Sequence, residues 1–188
     1  MGRSIPAHHP LRQLFATVTE RCFLEGLGWP DLKVIRYVAE LLLDFTHIDS
    51  VYKIRNAQGR RFEDVVEMLM EGDLLHRARS VDREREVHKH IGDYTLFMSG
   101  LFPEFLRRMK RARVLTSPDA LLDYVQTGKR SYRLTSEFSY SGHGEEASLF
   151  RKLSENFELC VYGLGYVRAD LDRLRNPMLQ RIWGTLLS

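Results

Sequence analysis

Three aspartate–histidine pairs have the spacing that a metal site inside a helical bundle would use. In each pair the residues are three positions apart, so on a helix both side chains project from the same side. The pairs are Asp44 with His47, Asp73 with His76 and, in reverse order, His90 with Asp93. Bundles that bind two metal ions place carboxylates and imidazoles on facing helices, and iron or manganese accepts such ligands. The first two pairs therefore form a candidate iron or manganese site.

The same pairs are also compatible with structural or surface roles that need no metal ion. The usual bundle motif is Glu-x-x-His, and neither forward pair uses glutamate. With 25 acidic residues and 7 histidines, some pairs at helical spacing are expected by chance. His88 and His90 flank Lys89, a composition that is typical of solvent-exposed surface. A protein without a cofactor is therefore the main interpretation, and the metal site is the alternative.

A second candidate site lies between His88 and Glu104, where polar residues alternate with glycine, proline and aromatic residues. Gly100 would let a ligand approach the backbone, and Pro103 would fix a bend. Small-ligand sites combine apolar walls with a few convergent polar groups. The candidate polar groups are His90, Asp93, Tyr94, Ser99 and Glu104. A helix–turn–helix corner packed with aromatic residues needs the same residue types without any ligand, so both interpretations stay open.

The same segment resembles a known family. Its pattern is Gly92-Asp-Tyr-x-Leu-Phe-x-x-Gly-Leu-Phe-Pro-Glu104, and the similarity continues through Tyr124–Arg130 and Phe150–Ser154. These residues are similar to a family of bacterial all-helical proteins that has no established activity. The resemblance implies a bacterial protein with an all-helical fold, and it implies no particular function.

Two groups of basic residues suggest a third candidate, a nucleic-acid-binding surface. The groups are Arg107, Arg108, Lys110, Arg111 and Arg113, then Lys129, Arg130 and Arg133. Nucleic-acid affinity requires many cations whose charge the protein does not itself neutralise. The chain has 28 basic and 25 acidic residues, a formal net charge of only +3. This balance argues against nucleic-acid binding, which is kept as a further alternative.

Helices must position all of these residues, because helical periodicity covers most of the chain and strand-type alternation is nearly absent. The apolar run Leu32–Phe45 is the expected central helix, with Pro30 in its first turn. The apolar stripe from Phe150 to Leu174 predicts one helical face of about six turns. A chain of 188 residues can fold around one hydrophobic core. We therefore predict an all-α bundle of roughly six to eight helices that forms a single domain, 1–188.

The cysteines and apolar segments indicate a cytoplasmic protein. Cys22 and Cys160 form no CxxC pair, so a structural zinc site is not expected. The apolar run around Leu32–Phe45 contains charged residues and is too short to span a bilayer, which requires about 20 apolar residues. The first residues lack the apolar stretch of a signal peptide.

The segment 178–187 predicts a terminal helix that either docks on the protein's own core or forms a dimer contact. Leu179, Ile182, Trp183 and Leu186 would form its apolar face. The sequence also lacks the motifs of phosphate-binding loops, zinc proteases and serine hydrolases. The leading functional interpretation is a non-enzymatic binding or scaffolding module that forms a homodimer and has an unidentified protein partner. A metalloprotein or small-ligand enzyme is the alternative.

Overall fold

The computed structural model describes residues 10–51, 53, 68, 70, 81–111, 120–138 and 144–186. Nine α-helices lie within these ranges, and no strand does, so the predicted all-α fold is confirmed. In chain order they are α1 (Pro10–Arg21), α2 (Leu32–Asp44), α3 (Ile48–Val51), α4 (Val81–Leu101), α5 (Pro103–Arg111), α6 (Ala120–Glu137), α7 (Gly144–Glu155), α8 (Phe157–Arg173) and α9 (Pro177–Leu186). A π-helical turn, Cys22–Gly26, follows α1. Within the described residues, no helix combines the length and apolar character needed to cross a membrane.

The described residues divide into two compact units. Unit A takes its residues from Met1–Val51 and Tyr162–Ser188, and unit B takes its residues from Tyr52–Val161. The boundary falls inside α8, so this helix supplies residues to both units. The single domain 1–188 stays a prediction.

Helices α1 and α2 pack against each other in unit A. Leu11, Phe15 and Val18 form the buried side of α1, at the three- and four-residue steps of a helix. The start of α2 is fixed by Asp31, whose Oδ1 accepts hydrogen bonds from the N–H groups of the second and third helical residues at 3.1 and 3.2 Å. The sequence analysis placed Pro30 inside this helix, but Pro30 precedes the cap.

Helix α2 is not enclosed on all sides, so the prediction that it is the central helix is wrong. Its hydrophilic residues share one exposed stripe, which consists of Lys33, Arg36, Glu40 and Asp44. The carboxylate of Glu40 forms an ion pair with Arg12 of α1. An amphipathic helix of this kind covers a core on one side and faces water on the other.

The enclosed helix is α4, in unit B. Every residue from His90 to Phe102 is buried. Helix α4 packs along α6, and α6 packs along α7. A helix that is buried on all sides is normally apolar. Helix α4 nevertheless buries several polar side chains. They are Glu84, His88, His90, Asp93, Thr95 and Ser99.

Residues 101–105 form a tight corner between α4 and α5. The N–H of Phe102 donates to the carbonyl oxygen of Met98 at 3.0 Å, and Pro103 starts α5. The ring of Phe102 contacts that of Phe97 edge to face, with centroids 5.5 Å apart. This is the aromatic corner that the sequence analysis gave as the alternative to a ligand pocket.

Two asparagines set the ends of the last three helices. Asn156 separates α7 from α8, and its side chain donates to the carbonyl oxygen of Lys152 at 2.9 Å. The predicted apolar stripe nevertheless stays buried from Phe150 to Leu171 apart from the half-buried Val161. Asn176 caps α9, with its Oδ1 accepting from the N–H of Met178 at 2.9 Å. Pro177 then occupies the first helical position.

Candidate functional site

The carboxylate of Asp93 joins α4 to α6 inside unit B. Its Oδ1 accepts a hydrogen bond from the hydroxyl of Tyr132 at 2.8 Å. Its Oδ2 accepts one from Lys89 Nζ at 2.7 Å, one turn earlier on the same helix. Asp93 and Tyr132 are both buried, and Lys89 reaches solvent. The buried negative charge is therefore neutralised by a cation and tied to a second helix by a hydrogen bond.

The ring of Tyr132 is held by aromatic neighbours. It stacks on Phe150 of α7 with centroids 5.7 Å apart, and it lies 5.9 Å from the ring of Phe157. Lys89 Nζ lies 6.0 Å from the centroid of Phe150, within cation–π distance. The hydroxyl of Tyr132 is therefore positioned on Asp93 by packing as well as by hydrogen bonding.

Two glycines allow this close packing. A Cβ at Gly92 of α4 would lie 2.5 Å from the ring of Tyr132. A Cβ at Gly128 of α6 would lie 2.5 Å from Thr95 Oγ1 and would overlap the ring of Phe157. Glycine is required at both positions because any other side chain would push α4 and α6 apart.

The residues predicted for a small-ligand pocket lie mostly inside the core. His90, Tyr94 and Ser99 are buried on α4 together with Asp93, whereas Glu104 is exposed on α5. The expectation that the residues around Lys89 face solvent is wrong for both histidines, because His88 and His90 are buried. The neighbouring helices cover the sides of α4 that carry both histidines, and from His90 onward every residue of α4 is buried, which local composition does not reveal. The small-ligand site stays a prediction.

The first metal-binding pair lies at the end of α2. Asp44 is the last residue of the helix, His47 follows in the next turn, and both are exposed. The second pair, Asp73 and His76, lies outside the described residues. Within the described residues, no three histidine, cysteine, aspartate or glutamate side chains are grouped so that they could hold a metal ion. The iron or manganese site stays a prediction.

Two members of the second basic group, Lys129 and Arg133, pair with the protein's own carboxylates. Lys129 Nζ forms an ion pair with Glu158 at 2.6 Å, and Arg133 Nε pairs with Glu137 at 3.1 Å. Burial raises the pKa of Glu158, but the hydrogen bond and charge of Lys129 outweigh it, and the pKa is lowered overall. In the first group, α5 carries Arg107 in an exposed position, and Arg113 lies outside the described residues. Nucleic-acid binding stays a prediction.

Exposed apolar side chains concentrate in one part of unit A, which we call the 162–178 segment. Tyr162 is 62% exposed, Tyr166 40%, Leu174 54% and Met178 49%. Among the described residues, four of the seven exposed large hydrophobic side chains belong to this segment. The rings of Tyr162 and Tyr166 meet edge to face at 5.0 Å, and their hydroxyls are 3.2 Å apart. The hydrogen bond to Tyr162 raises the pKa of Tyr166.

Four of the five charged residues of the same segment pair with residues of unit A; the fifth, Arg175, is exposed. Arg168 Nε binds Asp172 at 2.8 Å, and Arg173 binds Asp170 at 3.0 Å. Asp170 also accepts a hydrogen bond from Arg21 at 2.7 Å. The segment thus presents apolar and aromatic contacts with a small net charge, since its three arginines face two aspartates.

The 178–187 tail forms most of α9. Leu179 and Trp183, one turn apart, are buried, and the guanidinium of Arg168 lies 4.7 Å from the indole centroid of Trp183. Met178 and Ile182 line an open depression on another part of the helix surface. One side of the tail therefore packs within unit A, and another side carries solvent-accessible apolar residues.

No family model, curated protein or solved structure matches this chain. The resemblance of the segment Gly92–Glu104 to a bacterial helical family therefore stays a prediction.

Sequence reasoning missed the two features that the structure makes most prominent. Tyr132 is 39 residues away from Asp93, and nothing in a single sequence indicates that contact. The exposed tyrosines did leave a signal, since Tyr162 and Tyr166 are one turn apart and off the apolar stripe of α8. Leu174 was assigned to that buried stripe but is exposed, because α8 ends at Arg173.

Proposed function

We propose that the protein is a non-enzymatic helical interaction module that binds a second copy of itself through the 162–178 segment. The observation that carries this proposal is the exposure of Tyr162, Tyr166, Leu174 and Met178 along one short stretch of the chain in unit A, with the two tyrosine rings in contact. Clustered apolar exposure is typical of protein-binding surfaces. Tyrosine and methionine are also among the residue types enriched in interfaces.

A second copy is the favoured partner because most of the segment's charges are already paired, with Arg175 as the exception. In a twofold-symmetric dimer the same surface meets itself, so an unpaired charge near the axis would face a like charge. The Arg168–Asp172 and Arg173–Asp170 pairs reduce that repulsion. They also leave little free positive charge in this segment to attract an acidic or nucleic-acid partner.

We place the module in the cytoplasm, and the state of its cysteines supports this. Cys22 and Cys160 are both buried and form no disulfide bond. Burial, together with the carboxylate of Asp170, raises the pKa of the Cys22 thiol to about 11. A protonated, buried thiol behaves as a small hydrophobic group, which suits a reducing compartment.

The test is the mass of the protein in solution, measured by size-exclusion chromatography with light scattering across a range of concentrations. We expect the wild-type chain to approach twice its 22.0 kDa mass as concentration rises. The double variant Tyr162→Ser/Tyr166→Ser is expected to remain a monomer. Both side chains are exposed, so circular dichroism should show an unchanged helical fold.

The matched control is Leu32→Ser, which removes an exposed apolar side chain of unit A outside the segment. This variant should dimerise like the wild-type chain. A wild-type protein that stays monomeric at its highest attainable concentration would overturn self-association. A double variant that dimerises normally would overturn the assignment of the surface.

A further inference from the structure

A groove between α6 and α7 has the size and lining of a small-molecule site. Its volume is about 500 Å³, within the range that small ligands occupy. Its lining comes from the C-terminal halves of the two helices and is separate from the 162–178 segment. Ser136 and Ser154 are the buried residues of this lining, and the charged side chains around them are more exposed.

The two serines present hydrogen-bond acceptors. Ser136 Oγ donates its hydrogen to the carbonyl oxygen of Arg133 at 2.7 Å. Ser154 Oγ donates to the carbonyl oxygen of Lys129 at 2.8 Å, across the two helices. Each hydroxyl has only one hydrogen, so what remains at each oxygen is acceptor capacity. A ligand in the groove must therefore supply donors, which an inorganic anion such as sulfate does not.

Both a positive and a negative side chain lie near the serines, so the groove favours ligands that carry charges of both signs. Lys129 and Arg133 are paired with glutamates, as described above. Arg151 and Glu155 lie one turn apart on α7, and within the described residues no ion pair engages either of them. The groove thus offers one cation and one carboxylate, about 5–6 Å apart at their Cβ atoms.

We infer that this groove binds a small zwitterion carrying both an ammonium and a carboxylate group, of which a free α-amino acid is the simplest form. Arg151 holds the ligand carboxylate through its guanidinium fork. The carboxylate of Glu155 accepts hydrogen bonds from the ligand's ammonium group. The serine oxygens accept further hydrogen bonds from the ligand. Glu155 is the last residue of α7, so the negative end of the helix dipole also favours the ammonium group.

The test is a titration of the ¹⁵N-labelled full chain with the individual α-amino acids, followed by two-dimensional NMR. Acetate and ethylammonium, which carry the two charges separately, are titrated in parallel. We expect at least one amino acid to produce saturable shifts at the amides of Ser136 and Ser154, and neither single-charge probe to do so. Saturation by acetate or ethylammonium alone, or no saturable shift with any amino acid, would overturn the inference.

Variants distinguish binding in the groove from a general effect of the protein's net charge. Arg151→Ala is expected to weaken binding by at least about tenfold, and Arg151→Lys by less, because lysine keeps the charge but lacks the fork. The control is Arg130→Ala, an exposed arginine of α6 outside the groove lining, which should bind as the wild-type chain does. Equal losses in Arg151→Ala and Arg130→Ala would show that net charge, and not the groove, governs binding. The dimer-disrupting tyrosine variant should bind normally, so this test is independent of self-association.

Discussion

Asp93 is buried with both carboxylate oxygens engaged, one by Lys89 and one by Tyr132. A buried carboxylate is tolerated only when a cation and hydrogen bonds replace the water it has lost. Lys89 provides the charge from the same helix, and Tyr132 provides the second bond from a neighbouring helix. This residue therefore contributes to the specificity of the α4–α6 pairing as well as to its stability.

Tyr132→Phe tests that contribution. The substitution keeps the ring and its packing but leaves Asp93 Oδ1 buried without the hydroxyl donor. We expect a loss of about 1–3 kcal/mol in the free energy of unfolding, because a buried hydrogen bond to a charged group contributes about that much. Urea denaturation followed by circular dichroism measures it.

The control for this variant is Tyr162→Phe, which removes a hydroxyl from an exposed ring. Its effect should stay within about 0.5 kcal/mol, as for most surface substitutions. Equal effects of the two variants would show that the buried hydrogen bond contributes nothing specific.

Sequence reasoning identified Asp93 as notable but could not identify its partner. The one-turn spacing from His90 drew attention to it, because local spacing on a helix is readable from sequence. Tyr132 lies on another helix, and which residues of two helices face each other depends on their relative rotation and register. Neither quantity is encoded in the periodicity of either helix alone.

At the scale of elements, the close packing of α4 and α6 depends on two glycines. Gly92 admits the ring of Tyr132, and Gly128 admits Thr95 and the ring of Phe157. Glycine inside a helix normally costs about 1 kcal/mol relative to alanine. Here that cost is offset by the packing of three large buried side chains.

Gly128→Ala tests this explanation. Despite the higher helix propensity of alanine, we expect a net loss of about 1–3 kcal/mol, because the new Cβ overlaps fully buried groups. The matched control is Gly184→Ala in α9, where a Cβ meets no atom within 4 Å. Thermal unfolding should show Gly128→Ala destabilised and Gly184→Ala unchanged or stabilised by up to about 1 kcal/mol. A stabilised Gly128→Ala variant would contradict the packing argument.

The helices themselves were largely predictable, but the identity of the enclosed helix was not. Helical periodicity and breaks at glycine, asparagine and proline predicted an all-α chain, because these signals are local. Leu32–Phe45 was predicted to be the central helix because it is rich in apolar residues. Helix α4 is more enclosed although it buries His88, His90 and Asp93; for Asp93 this is possible because Lys89 and Tyr132 satisfy its carboxylate.

At the scale of the whole molecule, Asp170 connects residues that are far apart in the chain. It accepts hydrogen bonds from Arg21 at 2.7 Å and from the Cys22 thiol at 3.5 Å, both near the end of α1. Arg173 adds a further ion pair. The hydrogen bond from Arg21 is the main reason that the pKa of Asp170 is below its ordinary value.

The lowered pKa predicts a specific pH dependence of stability. The unfolded chain binds a proton at Asp170 more readily than the folded chain does, so the carboxylate stabilises the fold above its ordinary pKa of 3.8. This contribution is lost as the pH falls through the lower pKa of the folded state. Asp170→Asn should therefore be less stable than the wild-type chain at neutral pH, and the difference should shrink below about pH 4.

Urea titrations at several pH values measure this difference. The control, Asp172→Asn, removes an exposed pair within one helix and should change the free energy of unfolding by less than about 0.5 kcal/mol at neutral pH. A constant difference between Asp170→Asn and the wild-type chain down to the acid limit would contradict the assignment.

The division of unit A between two distant parts of the sequence has a consequence for biosynthesis. Helices α1 and α2 leave the ribosome before all of Tyr52–Val161, the sequence of unit B, and α8 is completed only afterwards. At typical translation rates that interval is roughly 5–20 s. Phe23 packs against Gly163 of α8 in the folded protein, so this packing contact cannot form during that interval. Unit B can thus fold co-translationally while unit A is still incomplete, and the final folding step brings the newest helices onto the oldest.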